Sequence, residues 1–294
     1  MTTKHLFLAG FAMLFFSCSD DDNNVATAAD QAVFDYFTTD ISQVSDGRTQ
    51  RTYSKTTLQD QKLFAVTEER FINGQSQGEF SEQRYFYENG LLVKKVISND
   101  VMDFFYDTQG RMIAINWTYG QSPSVTRYYR FTHLPQQKVY FEYLTLPYDD
   151  PETAVSKRIV IAFDSNDNIV KAGVENLNSG VIMDQYLFAY DADGNLIKTT
   201  SSTGGEAVIS YAPIKDNMAK ILINTFGKRN FMVYQAECYI GSPLIESLRH
   251  SPNLRTTDLQ ESVFESGPSS YYFRKTQEVT TDRPYSKVTT FYFK

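Results

Sequence analysis

From residue 51 to the C-terminus, apolar residues alternate with polar ones at a period of two, and turn-forming residues interrupt the alternation every 8 to 15 positions. That pattern predicts a long series of strands joined by short turns, each strand offering one face to a core. Residues 30–44, DQAVFDYFTTDISQV, differ. Val33, Phe37, Ile41 and Val44 recur at helical spacing, with Thr27 or Asp30 available as an N-cap, and predict one short N-terminal helix. Farther along, AKILINTF (219–226) and FMVYQAECYI (231–240) read as strands about a GKRN turn, and SSYYFRKTQEV and YSKVTTFYFK flank TTDRP as a closing hairpin. The expected fold is all-β, an antiparallel meander of repeated hairpins forming a curved sheet or a barrel-like or sandwich body, with that one short N-terminal helix.

Aligning the aromatic positions exposes an internal repeat. YDADGNLIK at 190–198 corresponds to YDTQGRMIA at 106–114, to FDSNDNIVK at 163–171 and, one residue shorter, to YENGLLVK at 87–94; a degenerate copy starts at Tyr211. Each unit reads as strand, tight turn, strand, over about residues 85–200. The first Asp of a unit (Asp107, Asp164, Asp191) is placed to accept hydrogen bonds from backbone N–H groups two residues on. Gly110 and Gly194 fall where a type I turn followed by a bulge needs positive φ, and Asp167 takes that place in FDSND. The alternative is a calcium loop. It is disfavoured because Gln109 stands where the second carboxylate, Asp193, would have to persist, and because glycine is at the fourth rather than the sixth position. These six residues are therefore expected to be structural turn positions, with no metal and no cofactor.

Composition reinforces the sheet. Tyr (20) and Phe (22) far outnumber the single Trp, and aromatic side chains suit a pleated surface. The formal net charge is -7 with Lys and Arg scattered, so there is no basic stripe to displace counterions from a phosphate backbone, and nucleic acid is not an expected partner. The N-terminus has its own signature: Lys4 precedes the eleven-residue apolar run Leu6–Phe16, too short to span a bilayer, which needs roughly 20 residues. It reads as a signal peptide over residues 1–17. LFFSC resembles a bacterial lipobox, which implies that Cys18 is lipidated. The acidic cluster Ser19, Asp20, Asp21 and Asp22 cannot bury apolar surface and reads as a flexible tether through residue 29. Directly behind the cysteine, it is similar to the surface-export signal of Bacteroidota lipoproteins. The expectation is an outer-membrane lipoprotein facing the cell exterior, with residues 30–294 as a single β domain.

Catalytic signals are absent from the sequence. His133 and His250 sit beside prolines in expected loops, Cys238 reads as a small strand residue, and no phosphate-cradling glycine loop, Cys-x-x-Cys or nucleophile elbow occurs. Trp117 and Tyr119 in NWTYG are candidate stacking platforms for a sugar, against the simpler reading of cross-strand packing.

The units Tyr106-Asp107, Gly110, Met112 and Tyr190-Asp191, Gly194, Leu196 resemble YD, or RHS-type, repeats. Large members of that family build β-shells around a toxin; this chain holds too few copies for a shell. With its acidic tether it is more similar to Bacteroidota surface lipoproteins carrying such repeats, a likeness that covers most of residues 80–294 and implies no activity. The function expected is a non-enzymatic binding or scaffolding domain with a glycan or protein partner, the alternative being a glycan-handling lipoprotein, either polysaccharide-binding or an accessory hydrolase.

Overall fold

The computed structural model describes residues 33–45, 47–120, 126–235, 251–255, 262–266, 271–280 and 283–293. Fourteen strands follow one another: β1 (Phe34–Ser45), β2 (Arg48–Gln59), β3 (Lys62–Ile72), β4 (Gln75–Glu88), β5 (Leu91–Ile97), β6 (Asp100–Tyr106), β7 (Met112–Thr118), β8 (Thr126–Leu134), β9 (Lys138–Leu144), β10 (Val155–Phe163), β11 (Ile169–Glu175), β12 (Ile182–Tyr190), β13 (Leu196–Ser201) and β14 (Glu206–Val208). β15 (Tyr211–Lys215) precedes two helices, α1 (Asn217–Phe226) and α2 (Lys228–Tyr234). β16 (Asn253–Arg255), β17 (Ser262–Ser266), β18 (Tyr271–Thr280) and β19 (Arg283–Phe293) complete the chain.

Strands β1 to β14 lie side by side in chain order, all antiparallel. β19 pairs with the free side of β1 and carries β18 and β17 beyond it. The result is one 17-stranded sheet, with β15 and β16 as a separate pair. The sheet is curved and is not closed. The fold is thus all-β, an antiparallel meander with short helices.

In a meander every second turn falls at the same end of the sheet, and here six of them share one construction. Leu58 opposes Leu63, Tyr87 opposes Leu92, Tyr106 opposes Met112, His133 opposes Val139, Phe163 opposes Ile169 and Tyr190 opposes Leu196. The six aliphatic residues that follow the turns are at most 6% exposed and line the core at this end. Each such side chain contributes about 1.5–3 kcal/mol by leaving water.

Polar tips then tie each hairpin to the one before it. The Tyr87 hydroxyl donates to Leu63 O (2.5 Å), Tyr106 to Leu92 O (2.8 Å), Tyr190 to Ile169 O (2.9 Å) and Tyr211 to Leu196 O (2.9 Å). Burial raises the pKa of Tyr87, Tyr106 and Tyr190, which keeps these hydroxyls protonated as donors.

The helices close this end. Thr225 Oγ1 accepts from Leu63 N (3.0 Å), and Asn230 accepts from Met112 N (2.8 Å) while donating to Gly110 O (3.0 Å). Arg229 reaches Gln137 and Asp167, and Lys228 donates to Asn166 O. Ile221, Phe226, Phe231, Met232 and Val233 join the strands' core cluster. Buried backbone groups next to the turns therefore find partners on α1 and α2.

Two sequence expectations are corrected. The helix expected in residues 30–44 is strand β1 over Phe34–Ser45, held between β2 and β19; residues 30–32 lie outside the described set. A register shift between Phe34 and Tyr36 turns both Phe34 and Phe37 towards Phe291 (centroids 5.1 and 5.3 Å); the intervals of four among Val33, Phe37 and Ile41 fit one face of a strand as well as a helix. Conversely, residues 219–226 and 231–234, expected as strands, are helical. Asp216 caps α1 by accepting from Met218 N and Ala219 N, and Gly227 at φ 79° ends it. α2 is buried over Asn230–Val233, and so short an apolar run has no legible period.

Candidate functional site

The repeat turns gather at the plugged end. Asp107 Oδ1 accepts from Gln109 N and Arg111 N, Asp164 Oδ1 from Asn166 N and Asn168 N, and Asp191 Oδ1 from Asp193 N and Asn195 N, all at 2.8–3.0 Å. Their Oδ2 atoms take side chains: Arg111, Asn168 and Asn195. Partial burial opposes ionisation of all three, but these hydrogen bonds outweigh it and hold each carboxyl below its ordinary pKa. Gly110 (φ 73°), Asp167 (φ 59°) and Gly194 (φ 85°) sit in the left-handed region at the bulge.

Between the β10–β11 and β12–β13 turns lies a polar cleft of about 440 Å³, lined by Asp164, Asn166, Tyr190, Asp191, Asp193 and Lys228 among others. Burial lowers the Lys228 amine, against the pull of Asp164 and Asp167. Its groups already bond one another, and among the described residues no three His, Cys, Asp or Glu side chains form a metal-binding group.

His133 is not in a loop, as expected from the sequence. It ends β8 half-buried, with Nε2 2.8 Å from Met112 O, occupying the anchor position that tyrosine holds elsewhere. As the donor to a carbonyl, Nε2 carries the proton, and Nδ1 is enclosed without a partner. Burial lowers the pKa of this ring, and Arg111 and Arg229 add to the effect.

Trp117 and Tyr119 stack on each other (4.8 Å between centroids, 22° between planes), and the Arg127 guanidinium lies 5.8 and 5.3 Å from their centroids. Register extends this group. Tyr85, Lys95, Met102, Trp117 and Arg127 are successive direct partners across β4, β5, β6, β7 and β8. Directly opposed residues share a face, and Tyr85 and Met102 place this row on the inner, core-bearing face. Lys95 Nζ lies 5.3 Å from the Tyr85 ring centroid. The sequence gives no sign of the row, because it is assembled only by pairing.

The outer face carries a contrasting row, Arg130–Glu142–Arg158–Glu175, whose members are again direct cross-strand partners. Glu142, 2% exposed, is held by Arg130 and Arg158 at 2.8 Å each, and Arg158 also reaches Glu175 at 3.0 Å. It is a neutralised structural ladder. Cys18 and Ser19–Asp22, with Cys238 and His250, lie outside the described residues.

No family model and no curated protein matches the chain in sequence. Among solved structures it is similar to a porin-like protein from Bacteroides uniformis, at 9% identity over 89% of this chain and 96% of that one, with a TM-score of 0.37. It is also similar to TcdB2-TccC3 without its hypervariable C-terminal region (12% identity, 80% of this chain, 16% of that one, TM-score 0.29). A third likeness is to the Photorhabdus luminescens Tc holotoxin pore (11% identity, 80% and 15%, TM-score 0.29). The chain spans about one sixth of those two toxin chains, and TM-scores this low say nothing of what it binds.

Proposed function

We propose that this chain is a lipid-anchored outer-membrane protein of the Bacteroidota surface type, displaying a non-enzymatic β domain that binds or scaffolds at the cell exterior. The observation that carries the anchor is the apolar run ending at Ser17-Cys18 with Asp20, Asp21 and Asp22 directly behind it. Two or three acyl chains on Cys18 anchor firmly, since each buried methylene contributes about 0.8 kcal/mol. The geometry that supports binding over catalysis is the saturation of the turn carboxylates by backbone N–H groups, which leaves them neither base nor ligand. β1 starts at Phe34, bonded to Gln61 at the plugged end.

Growth with an alkynyl palmitate tests this reading. The chain is expected to take up label, Cys18→Ser to lose it and leave the membrane fraction, and added protease to cleave the protein on intact cells. Labelled or membrane-bound Cys18→Ser protein would overturn the anchor, and protection from protease the outward orientation. Polysaccharide handling is the second reading, favoured by the Trp117–Tyr119 pair on the inner face. Among the described residues the carboxylate beside the pair, Asp100, accepts from Gly120 N, so binding fits better than hydrolysis.

A further inference from the structure

The cleft between the β10–β11 and β12–β13 turns, about 440 Å³ in volume, falls within the range of small-molecule pockets, about 300–1,000 Å³. Asp164 and Asp191 are engaged by the turns: each carboxylate accepts from two backbone N–H groups and one asparagine amide. Three other polar groups of the wall keep spare capacity. The Asp193 carboxylate and the Asn166 side-chain amide, both on exposed residues, take no hydrogen bond among the described residues, because these two positions serve the turns through their backbone N–H groups alone. Lys228 uses one of its three ammonium protons, on Asn166 O at 2.7 Å. Asn168, 3% exposed, also lines the cleft; its Nδ2 donates to Asp164, and its Oδ1 has no donor among the described residues. Val170 and Ala192 add apolar surface. At the β6–β7 turn, by contrast, Gln109 stands in the place of Asp193.

We propose that this cleft binds a neutral saccharide by its vicinal ring hydroxyls, which donate to the Asp193 carboxylate and accept from Lys228 and the Asn166 amide while the C–H face rests on Val170 and Ala192. The proposal rests on the binding-domain reading above and names its ligand class and its place. The class follows from the mixture of groups. An anion drawn to Lys228 would face the carboxylates of Asp164, Asp191 and Asp193, and a cation drawn to Asp193 would face the Lys228 ammonium. A hydroxyl carries no charge and both donates and accepts. Neighbouring hydroxyls on one ring therefore satisfy both kinds of group at once. Hydrogen bonds with one charged partner are the stronger kind, and Asp193 and Lys228 each supply the charge.

The test passes the full chain, in a neutral detergent, over immobilised mannan, dextran and galactan, with polygalacturonate as the acidic comparison. Retention is expected on at least one neutral polymer and not on polygalacturonate, and is expected to persist in about 1 M salt, which screens a purely ionic contact. Periodate cleavage of the ring diols followed by borohydride reduction, which removes the vicinal pairs and leaves the polymer other hydroxyls, is expected to abolish it. Asp193→Ala is expected to weaken retention at least tenfold and Asn166→Ala severalfold, while Gln109→Ala, at the matching place of the β6–β7 turn, leaves it unchanged. The thermal midpoints of Asp193→Ala and Asn166→Ala are expected to stay at the parent value, because neither side chain holds a bond in the fold, so lost binding is not lost folding. Absence of retention on all three neutral polymers, equal retention on polygalacturonate, full retention of Asp193→Ala, or full retention on the periodate-treated polymer each overturns the site. If Trp117→Phe loses retention and Asp193→Ala keeps it, polysaccharide binding stands and the cleft falls. Palmitate labelling and protease shaving are read separately: if they succeed and retention fails, only the site falls.

Discussion

Strands β1–β4 have two kinds of support along their length. At the plugged end Phe34, Phe37, Leu58, Leu63 and Val66 are buried beneath the helices. At the other end no described residue of 39–54 or 67–84 is buried, so the sheet there is a single layer with water on both faces. What holds the layer is lateral. Arg51 clasps Asp40 and lies over Phe71 (5.2 Å), Arg70 lies over Phe80 (5.2 Å), Ser54 bonds Glu68 and Ser76 bonds Glu69. The same backbone ladder runs through both halves. The difference shows that strand pairing can continue well past the core it starts from, provided the cross-strand side chains replace burial with many small contacts. Stability is then unequally distributed along single strands.

The sharpest way to break the comparison is to remove matched apolar side chains from the two halves. Leu196→Ala, at a position 0% exposed in the core at the plugged end, is expected to cost about 2–5 kcal/mol, because it deletes buried methyl groups and leaves a cavity. Ile41→Ala, in the single layer, is expected to stay within about 1 kcal/mol. Urea unfolding followed by far-ultraviolet circular dichroism measures both. Equal losses would mean that the layer carries as much stability as the plugged end.

Next in size is the plug itself. Asn230→Ala strips the acceptor from Met112 N–H and the donor from Gly110 O, and leaving buried backbone groups unsatisfied is expected to cost about 1–3 kcal/mol. Amide exchange at Met112 is expected to accelerate in this variant, while Thr52 and Arg70 in the layer keep their rates. The inter-hairpin bonds are smaller terms: Tyr190→Phe removes one hydroxyl and is expected to cost about 0.5–1.5 kcal/mol by the same unfolding measurement.

Much of the plugged end is legible in the sequence, and the reasons are local. Asp, Asn and Gly reverse a chain through their own backbone preferences, so the turns at 107–110, 164–167 and 191–194 announce themselves without neighbours. Two units escape that reading because the anchor changes type: Leu58 and His133 stand where tyrosine does elsewhere. A usable signal is present all the same, since His133 precedes Val139 by the same interval that separates Tyr190 from Leu196. The first strand and the two helices are misread for different reasons: intervals of four residues fit one face of a strand as well as a helix in the first case, and in the second the apolar run of α2 is too short to show a period. The inner row is not legible at all. Lys95 and Trp117 face the same side only because two intervening pairings fix their register, and register depends on every turn length before it.

His133 sharpens the comparison in another way, because it makes the plugged end the pH-sensitive half. Its folded pKa lies below the ordinary value of about 6.5. Above that ordinary value the ring is neutral in both states and nothing is lost. As pH falls through it, the unfolded chain binds a proton that the folded chain resists, so stability declines until the lower, folded pKa is reached. His133→Tyr restores the hydroxyl found at the other anchors, and is expected to flatten the decline of the urea midpoint between pH 7.5 and 5.5. An unchanged slope would assign that decline to other groups.

The smallest expected effect lies in the single layer. Arg51→Ala removes an exposed ion pair with Asp40 and a guanidinium over Phe71, and is expected to cost no more than about 1 kcal/mol. The size matters less than its salt dependence. An exposed pair is screened over a Debye length of about 8 Å at physiological ionic strength, and about 3 Å at 1 M, so the penalty of Arg51→Ala should shrink in 1 M salt. The Leu196→Ala penalty, which is burial, should persist there. Hydrogen exchange at the residues opposite Arg51, Ser42 and Phe71, resolves the effect where global unfolding averages it away. If both penalties respond alike to salt, the layer is held by something other than its lateral charges and rings, and the contrast between the two ends of β1–β4 loses its cause.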